Sequence, residues 1–294
     1  MAQPHRVLYI DLGTIRSFTN YFDYTSVPAA KLLPVCESHM ASPGTEAILV
    51  DTSTELENLL RDVSRVGTKP GSDARFFLDL EGSISIIQVY IQDAEPKLYL
   101  LDVHALKESA FDHALSGLRW TSFRQFLEDE GPIKVFFDVR NDSHVMHRLY
   151  RVKLDGIRDL QLMELGSREG ARKKRHINGL AKCITMDINM SQDQESRWMA
   201  CKEAGQRLYL PNLGGKYEVW DERPLGPLLL EYCSQDTWCL PRLYDLYYGK
   251  LTTEWLGRVD VESKARVVDS QRADYDRNGR NRTRGPPTWQ TIGD

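Results

Sequence analysis

Apolar residues recur along this chain in two rhythms, and the switch between them marks out the elements. Residues 76–80, 84–91 and 98–103 are runs rich in β-branched and aromatic side chains, which predicts three strands. The first two are joined by Gly82-Ser83, short enough for a tight hairpin, and the third follows a turn over 92–96. Ahead of them Ile48-Leu49-Val50 predicts a short strand. Leu56, Leu59, Leu60 and Val63 then recur at helical spacing behind the capping candidates Asp51, Ser53 and Thr54, and Gly67, Pro70 and Gly71 close that helix.

Further along, the pattern predicts a helix over 120–130 ended by Gly131-Pro132, a buried strand over 134–137, and a helix over 142–150 capped by Asn141 or Asp142. From about residue 160 the chain reads as mostly helical, broken at Pro211, Gly214-Gly215, Pro224 and Pro227, with its strongest helix over 228–247. The expected division is an N-terminal extension over 1–46, with a strand-like Val7-Leu8-Tyr9-Ile10; one domain over 47–250; and a polar C-terminal helix and tail over 251–294, frayed from Asn278. Strands first and helices after predict an α/β fold with one sheet and a helical C-terminal half.

Composition narrows the classes. At 41% hydrophobic and 27% charged, the 294 residues suit a globular protein with a sizeable core. A net charge of -4 excludes grip on nucleic acid by bulk positive charge, though not by a local patch. The five cysteines are scattered without a CxxC pair, so neither a disulfide framework nor a structural zinc site is expected, and a reducing location, cytoplasmic or nuclear, is. No run approaches the roughly 18 apolar residues that span a bilayer, and the N-terminus lacks a signal-peptide pattern, so no membrane partner is expected.

The candidate chemistry lies in the acids. Asp79 and Glu81 end the first apolar strand, and residues i and i+2 of a strand point to one face. Carboxylates brought together at the edge of an apolar sheet repel each other unless a hard cation lies between them. Asp142 follows the strand over 134–137, where a helix-capping role competes with a ligand role and Asp138 is the rival acid. Tyr232 and Asp236, at i and i+4, project from one face of the late helix.

Taken in order, Phe76-Phe77-Leu78-Asp79-Leu80-Glu81-Gly82, then Lys134-Val135-Phe136-Phe137-Asp138-Val139-Arg140-Asn141-Asp142-Ser143, then Arg223-Pro224-Leu225 leading to Tyr232-Cys233-Ser234-Gln235-Asp236, the chain resembles the DEDDy group of 3′–5′ exonucleases, ribonuclease D among them, over residues 48–250. The resemblance implies a ribonuclease H-like mixed sheet flanked by helices. It also implies two Mg²⁺ or Mn²⁺ ions on Asp79, Glu81, Asp142 and Asp236, with Tyr232 orienting the attacking water. Single-stranded nucleic acid, RNA ahead of DNA, is the implied substrate, and a non-catalytic adaptor that kept the fold is the alternative. Two positions depart from the family pattern: the connection after Glu81 is shorter than is common, and Phe137 stands where His is frequent.

Three other features stand out. Asp159 is a supporting residue or a surface one. His144 and His147 lack the third ligand of a zinc site. Arg168, Arg172, Lys173, Lys174 and Arg175 form a basic run, either a solvated loop or a phosphate-steering patch.

Overall fold

A computed structural model of the chain describes residues 47–68, 75–170, 174–277 and 279–290, all within one compact unit. The expected extension over 1–46 lies outside the described residues, as do Arg172 and Lys173. The strands are β1 (Ala47–Val50), β2 (Arg75–Glu81), β3 (Ile86–Gln92), β4 (Lys97–Asp102), β5 (Ile133–Phe136) and β6 (Ile157–Asp159). They form a six-stranded sheet in the order β1-β4-β3-β2-β5-β6. β3 runs antiparallel to both neighbours, and the other pairings are parallel. The mixed sheet, flanked by helices and followed by a largely helical C-terminal region, is the ribonuclease H-like architecture.

Strand periodicity divides the interior in two. On β2, Phe76 and Leu78 enter one core with Leu56, Leu59, Leu60 and Val63 of α1 (Ser53–Gly67) and with Phe126 of α4 (Phe123–Glu128). Phe77 enters the opposite core with Leu240, Leu243 and Tyr244 of α9 (Pro227–Tyr248). Each face is closed by an aromatic edge contact, Phe76 on Phe126 at 4.8 Å and Phe77 on Tyr244 at 5.7 Å. Two short helices, α2 (Val103–Leu106) and α3 (Ser109–Asp112), follow β4.

Local chemistry corrects several expectations. The cap of α1 is Thr52, whose hydroxyl accepts from the Glu55 amide at 3.4 Å, rather than Asp51, Ser53 or Thr54. The helix α5 (Arg140–Tyr150) starts before Asn141, with Val139 at its cap and no side-chain cap bond. Neither Asn141 nor Asp142 caps it; Asn141 instead accepts from Arg282 at 2.8 Å. The β2–β3 connection is four residues long, because Glu81 pairs with Ile86. Gly82, Ser83 and Ile84 all take positive φ there, which no two-residue hairpin would need. Gly82 has a second reason to be glycine, since a Cβ would lie 2.5 Å from Trp220 Cγ.

β6 had no periodic signal at three residues, yet it ends in Asp159, which organises the next layer. Asp159 is fully buried rather than superficial. Its carboxylate accepts from the amides of Asp138 (2.9 Å), Val139 (3.2 Å) and Gln161 (3.0 Å), and from Arg266 (2.8 Å). It thereby caps α6 (Leu160–Ser167) and fixes the loop that leads into α5. Arg266 comes from α10 (Thr253–Ser270), which packs on α5, α6 and β6 through Ser263, Arg266 and Ser270, all buried. Arg158 adds a forked pair to Asp260 at 2.8 and 2.9 Å.

Over residues 279–290 the expected frayed tail is instead packed. Trp289 is buried against Trp255, centroids 5.2 Å apart, and the Gly285 amide donates to the Arg175 carbonyl at 3.0 Å. Arg168 and Lys174 of the basic run also face inward. Arg168 forks Glu164, and Lys174 donates to the Arg168 carbonyl while lying 4.7 Å over the Trp255 ring.

Asp159→Ala would remove the acceptor of the Asp138, Val139 and Gln161 amides and the main counter-ion of buried Arg266, which keeps Gln161 Oε1 at 3.0 Å. The expected loss is roughly 3–5 kcal/mol by urea denaturation, larger than for a surface carboxylate. A loss below about 1 kcal/mol would contradict the clamp.

Candidate metal centre

Asp79 and Glu81 extend the Phe77 face of β2, the face covered by α9. Tyr232 and Asp236 arrive on α9 one turn apart, 7% and 8% exposed. Asp142 comes from the first turn of α5, which follows β5, the parallel neighbour of β2. The site therefore lies at the carboxyl ends of adjacent parallel strands, where α/β sheets open towards ligands.

The four carboxylates act on one another. Burial raises the Asp79 pKa and the Asp236 charge adds to it, pushing the group up to about 7. Burial, then the charges of Asp79 and Asp236, hold Glu81 well above the ordinary carboxylate range. Asp142 is raised in the same way, by burial and then by Asp79, Asp138, Asp159 and Glu81. Three chain segments thus deliver acids into one field. One oxygen of Asp236, Oδ1, is buried without a hydrogen-bond partner. A donor set made only of carboxylate oxygens, one of them orphaned, fits a hard divalent cation such as Mg²⁺ or Mn²⁺.

Asp138, the rival to Asp142, has a different fate. Arg140 forks it at 2.5 and 2.7 Å, with Arg266 and Arg282 at 3.6 and 3.8 Å. Burial alone would raise its pKa, but the hydrogen bonds and charge of Arg140, with Arg266 and Arg282, outweigh it and hold the carboxyl below its usual range. Asp138 is an internal counter-ion. Asp142 has no ion pair among the described residues.

Three residues of α8 (Gln192–Tyr209) join the site without having been singled out in the sequence. Lys202 pairs with Asp236 through Nζ and Oδ2. Burial works against its charge, but Asp236, then Glu81 and Asp79, raise its pKa further. Gly205 lets α8 approach α9, since a Cβ there would fall 2.3 Å from Tyr232 Cδ2. Tyr209 places its hydroxyl 2.9 Å from that of Tyr232. Their spacing of i, i+3 and i+7 is a helical face and is the signal that could have found them.

Trp220 completes the wall, its ring 6.2 Å from Tyr232 and 5.5 Å from Tyr209. Arg223 anchors it by donating to the Trp220 carbonyl at 2.9 Å and to buried Asp102 at 2.6 Å.

A second candidate metal-binding cluster stands apart from these acids. Glu164, Cys183 of α7 (Leu180–Asp187) and Asp187 bring ligand atoms within 4.8 Å of one another. Its members are already engaged: Arg168 forks Glu164 at 2.8 and 2.5 Å, Asn178 donates to it at 3.1 Å, and the Tyr247 hydroxyl donates to Asp187 at 2.7 Å. Burial raises the Cys183 pKa to about 12, which keeps the sulfur a thiol and a weak ligand. His144 is fixed from α10, its Nδ1 lying 2.9 Å from the Ser270 carbonyl.

The sequence profile of the family described as 3′–5′ exonuclease matches residues 47–247. Among solved structures, Trypanosoma brucei RNase D in complex with GMP is similar at 20% identity and a TM-score of 0.65, over 83% of this chain and 70% of that one. The same enzyme in complex with RNA U12 is similar at 20% identity and 0.65, over 84% and 78%. Escherichia coli RNase D follows at 17% identity and 0.53, over 78% and 51%. Among curated proteins none matches. At these identities the likeness to solved structures is one of fold. Among the described residues, no helix is long and apolar enough to cross a membrane.

The raised Asp79 pKa makes metal-free stability depend on pH. The folded protein keeps this proton up to about pH 7, whereas the unfolded chain releases it near 3.8, so stability falls as pH rises through that window. In EDTA, the thermal midpoint of the wild type is expected to drop between about pH 4 and pH 7, and Asp79→Asn to flatten the drop. Parallel profiles for the two proteins would contradict the shared field.

Proposed function

We propose, from the premise that this chain belongs to the 3′–5′ exonuclease family, that it removes nucleotides from the 3′ end of single-stranded nucleic acid in a metal-dependent hydrolysis, RNA ahead of DNA. Asp79, Glu81, Asp142 and Asp236 are the proposed ligands of two Mg²⁺ or Mn²⁺ ions, and Tyr232 is the proposed water-orienting residue. What supports this reading is that Asp79, Glu81 and Asp142, from β2 and α5, each feel the charge of other acids of this set, and that Asp236 Oδ1 on α9 is left unpartnered.

When bound, two such ions supply charge stabilisation for the attacking and leaving oxygens of an in-line displacement at phosphorus. The protein's own groups do the rest. Burial, then the Glu81 charge, hold the Tyr232 phenol well above its ordinary pKa, so it stays protonated at neutral pH. It therefore works as a hydrogen-bonding orienter and not as a base. Tyr209 at 2.9 Å limits the directions its hydroxyl can take, and the aromatic wall of Tyr209 and Trp220 fixes the ring. Asp159 acts at one remove by holding the Asp138–Val139 loop from which α5 carries Asp142.

RNA stands first among substrates because the Trypanosoma brucei RNase D that shares this fold has been solved with RNA. A net charge of -4 supports a grip by local contacts at the strand end in place of bulk attraction. One observation favours a second reading, an adaptor that binds nucleic acid without cutting it: Lys202 engages one of the four acids as a resident cation.

With Mg²⁺ or Mn²⁺, 5′-labelled single-stranded RNA and DNA are expected to shorten stepwise from the 3′ end, RNA faster. Asp79→Asn should abolish shortening with an unchanged circular dichroism spectrum, and Tyr232→Phe should slow it by about 10²-fold. Both substrates left intact, under conditions in which a reference exonuclease degrades them, would favour the adaptor.

A further inference from the structure

Lys202 is the one cation paired with any of the four acids among the described residues. Its side chain leaves the middle of α8 and places Nζ on Asp236 Oδ2, 5.5 Å from the Trp198 ring and 5.6 Å from the Tyr232 ring. The side chains of Lys202 and Asp236 are only 17% and 12% exposed, and Gly205 is what allows α8 close enough for the contact.

A purely structural salt bridge between two helices would be expected to satisfy both carboxylate oxygens with neighbouring donors. Here Oδ2 meets the ammonium and Oδ1 meets nothing, while Asp79, Glu81 and Asp142 have no ion-pair partner among the described residues. The carboxylate group is balanced in part, by one monovalent charge on one of its four members. An ammonium and a divalent cation cannot both use Asp236 at close range without repelling each other.

We propose that Lys202 is a built-in counter-cation, which holds Asp236 in the metal-free protein and competes with a divalent ion for that carboxylate. The inference rests on the reading of the four acids as metal ligands. Its consequence is that ion uptake is linked to withdrawal of Lys202, so this residue sets how much free metal the site requires. Removal of the ammonium relieves a repulsion acting on the incoming ion and frees its ligand, while the acids themselves are untouched.

The test is calorimetric titration of the full chain with MnCl₂, which does not depend on turnover. Lys202→Met keeps an unbranched apolar stem of similar length and deletes the charge. It is expected to tighten Mn²⁺ binding by at least about tenfold. Lys202→Gln, which keeps a polar tip should the Met variant fold poorly, should tighten it in the same direction. Lys202→Arg, which keeps the charge, should stay within about threefold of wild type. Asp236→Asn in the Lys202→Met background should erase the gain.

Mn²⁺ dissociation constants for the Met and Gln variants within about twofold of wild type, or weaker, would overturn the inference. If wild type binds Mn²⁺ and these variants merely match it, only the role of Lys202 falls. If no version of the protein takes up Mn²⁺, the metal-site reading falls with it.

Discussion

Mutual repulsion among four partly buried carboxylates is the constraint around which the rest of this structure is arranged. Burial, and then the charges of the neighbouring acids, raise the cost of ionising Asp79, Glu81 and Asp142. Nothing local to β2 would hold two acids at the end of a strand that is otherwise apolar. They stay because the two cores on either side of the sheet fix β2 and α9 in place. Phe76 and Leu78 are locked into one core and Phe77 into the other, so the face that carries Asp79 and Glu81 is set by packing they do not share.

The same chemistry gives neighbouring acids opposite fates. Asp138 and Asp142 are four residues apart, and sequence spacing alone hardly separates them. The difference lies in what reaches them. Asp138 is forked by Arg140 and faced by Arg266 and Arg282, so it is neutralised by the protein itself. Asp142, in the first turn of α5, forms no ion pair among the described residues and feels the charges of Asp79, Asp138, Asp159 and Glu81. Asp159 and the polar face of α10 hold this arrangement from behind, which is why a helix that reads as solvent-facing is bound into the domain.

Much of the candidate site was legible because its signals are periodic. Asp79 and Glu81 follow the two-residue period of a strand, and Tyr232 and Asp236 the four-residue step of a helix. Strands β1 to β5 and α9 were legible for the same reason, and three-residue β6 was not. The missed features have signals that are local or inverted. Thr52 caps α1 where three neighbours could equally have done so. Ile84 takes φ +81, a conformation that no local rule assigns to a β-branched residue. The buried face of α10 mixes Val259 and Val267 with Ser263, Arg266 and Ser270, while Val261 and Val268 are exposed, so its amphipathic pattern is blurred. Lys202, Gly205 and Tyr209 share a helical face, but their meaning depends on α9 lying beside it, which is tertiary information.

The central claim is that the four acids form a divalent-cation site, distinct from the Glu164–Cys183–Asp187 cluster. Anomalous diffraction at the manganese edge from crystals soaked in MnCl₂ tests it most directly, because it locates the ion without any assay of activity. The account predicts an anomalous peak bounded by Asp79, Glu81, Asp142 and Asp236, with Lys202 moved off Asp236. A peak confined to Glu164, Cys183 and Asp187, or none with Lys202 still on Asp236 at saturating metal, would contradict it.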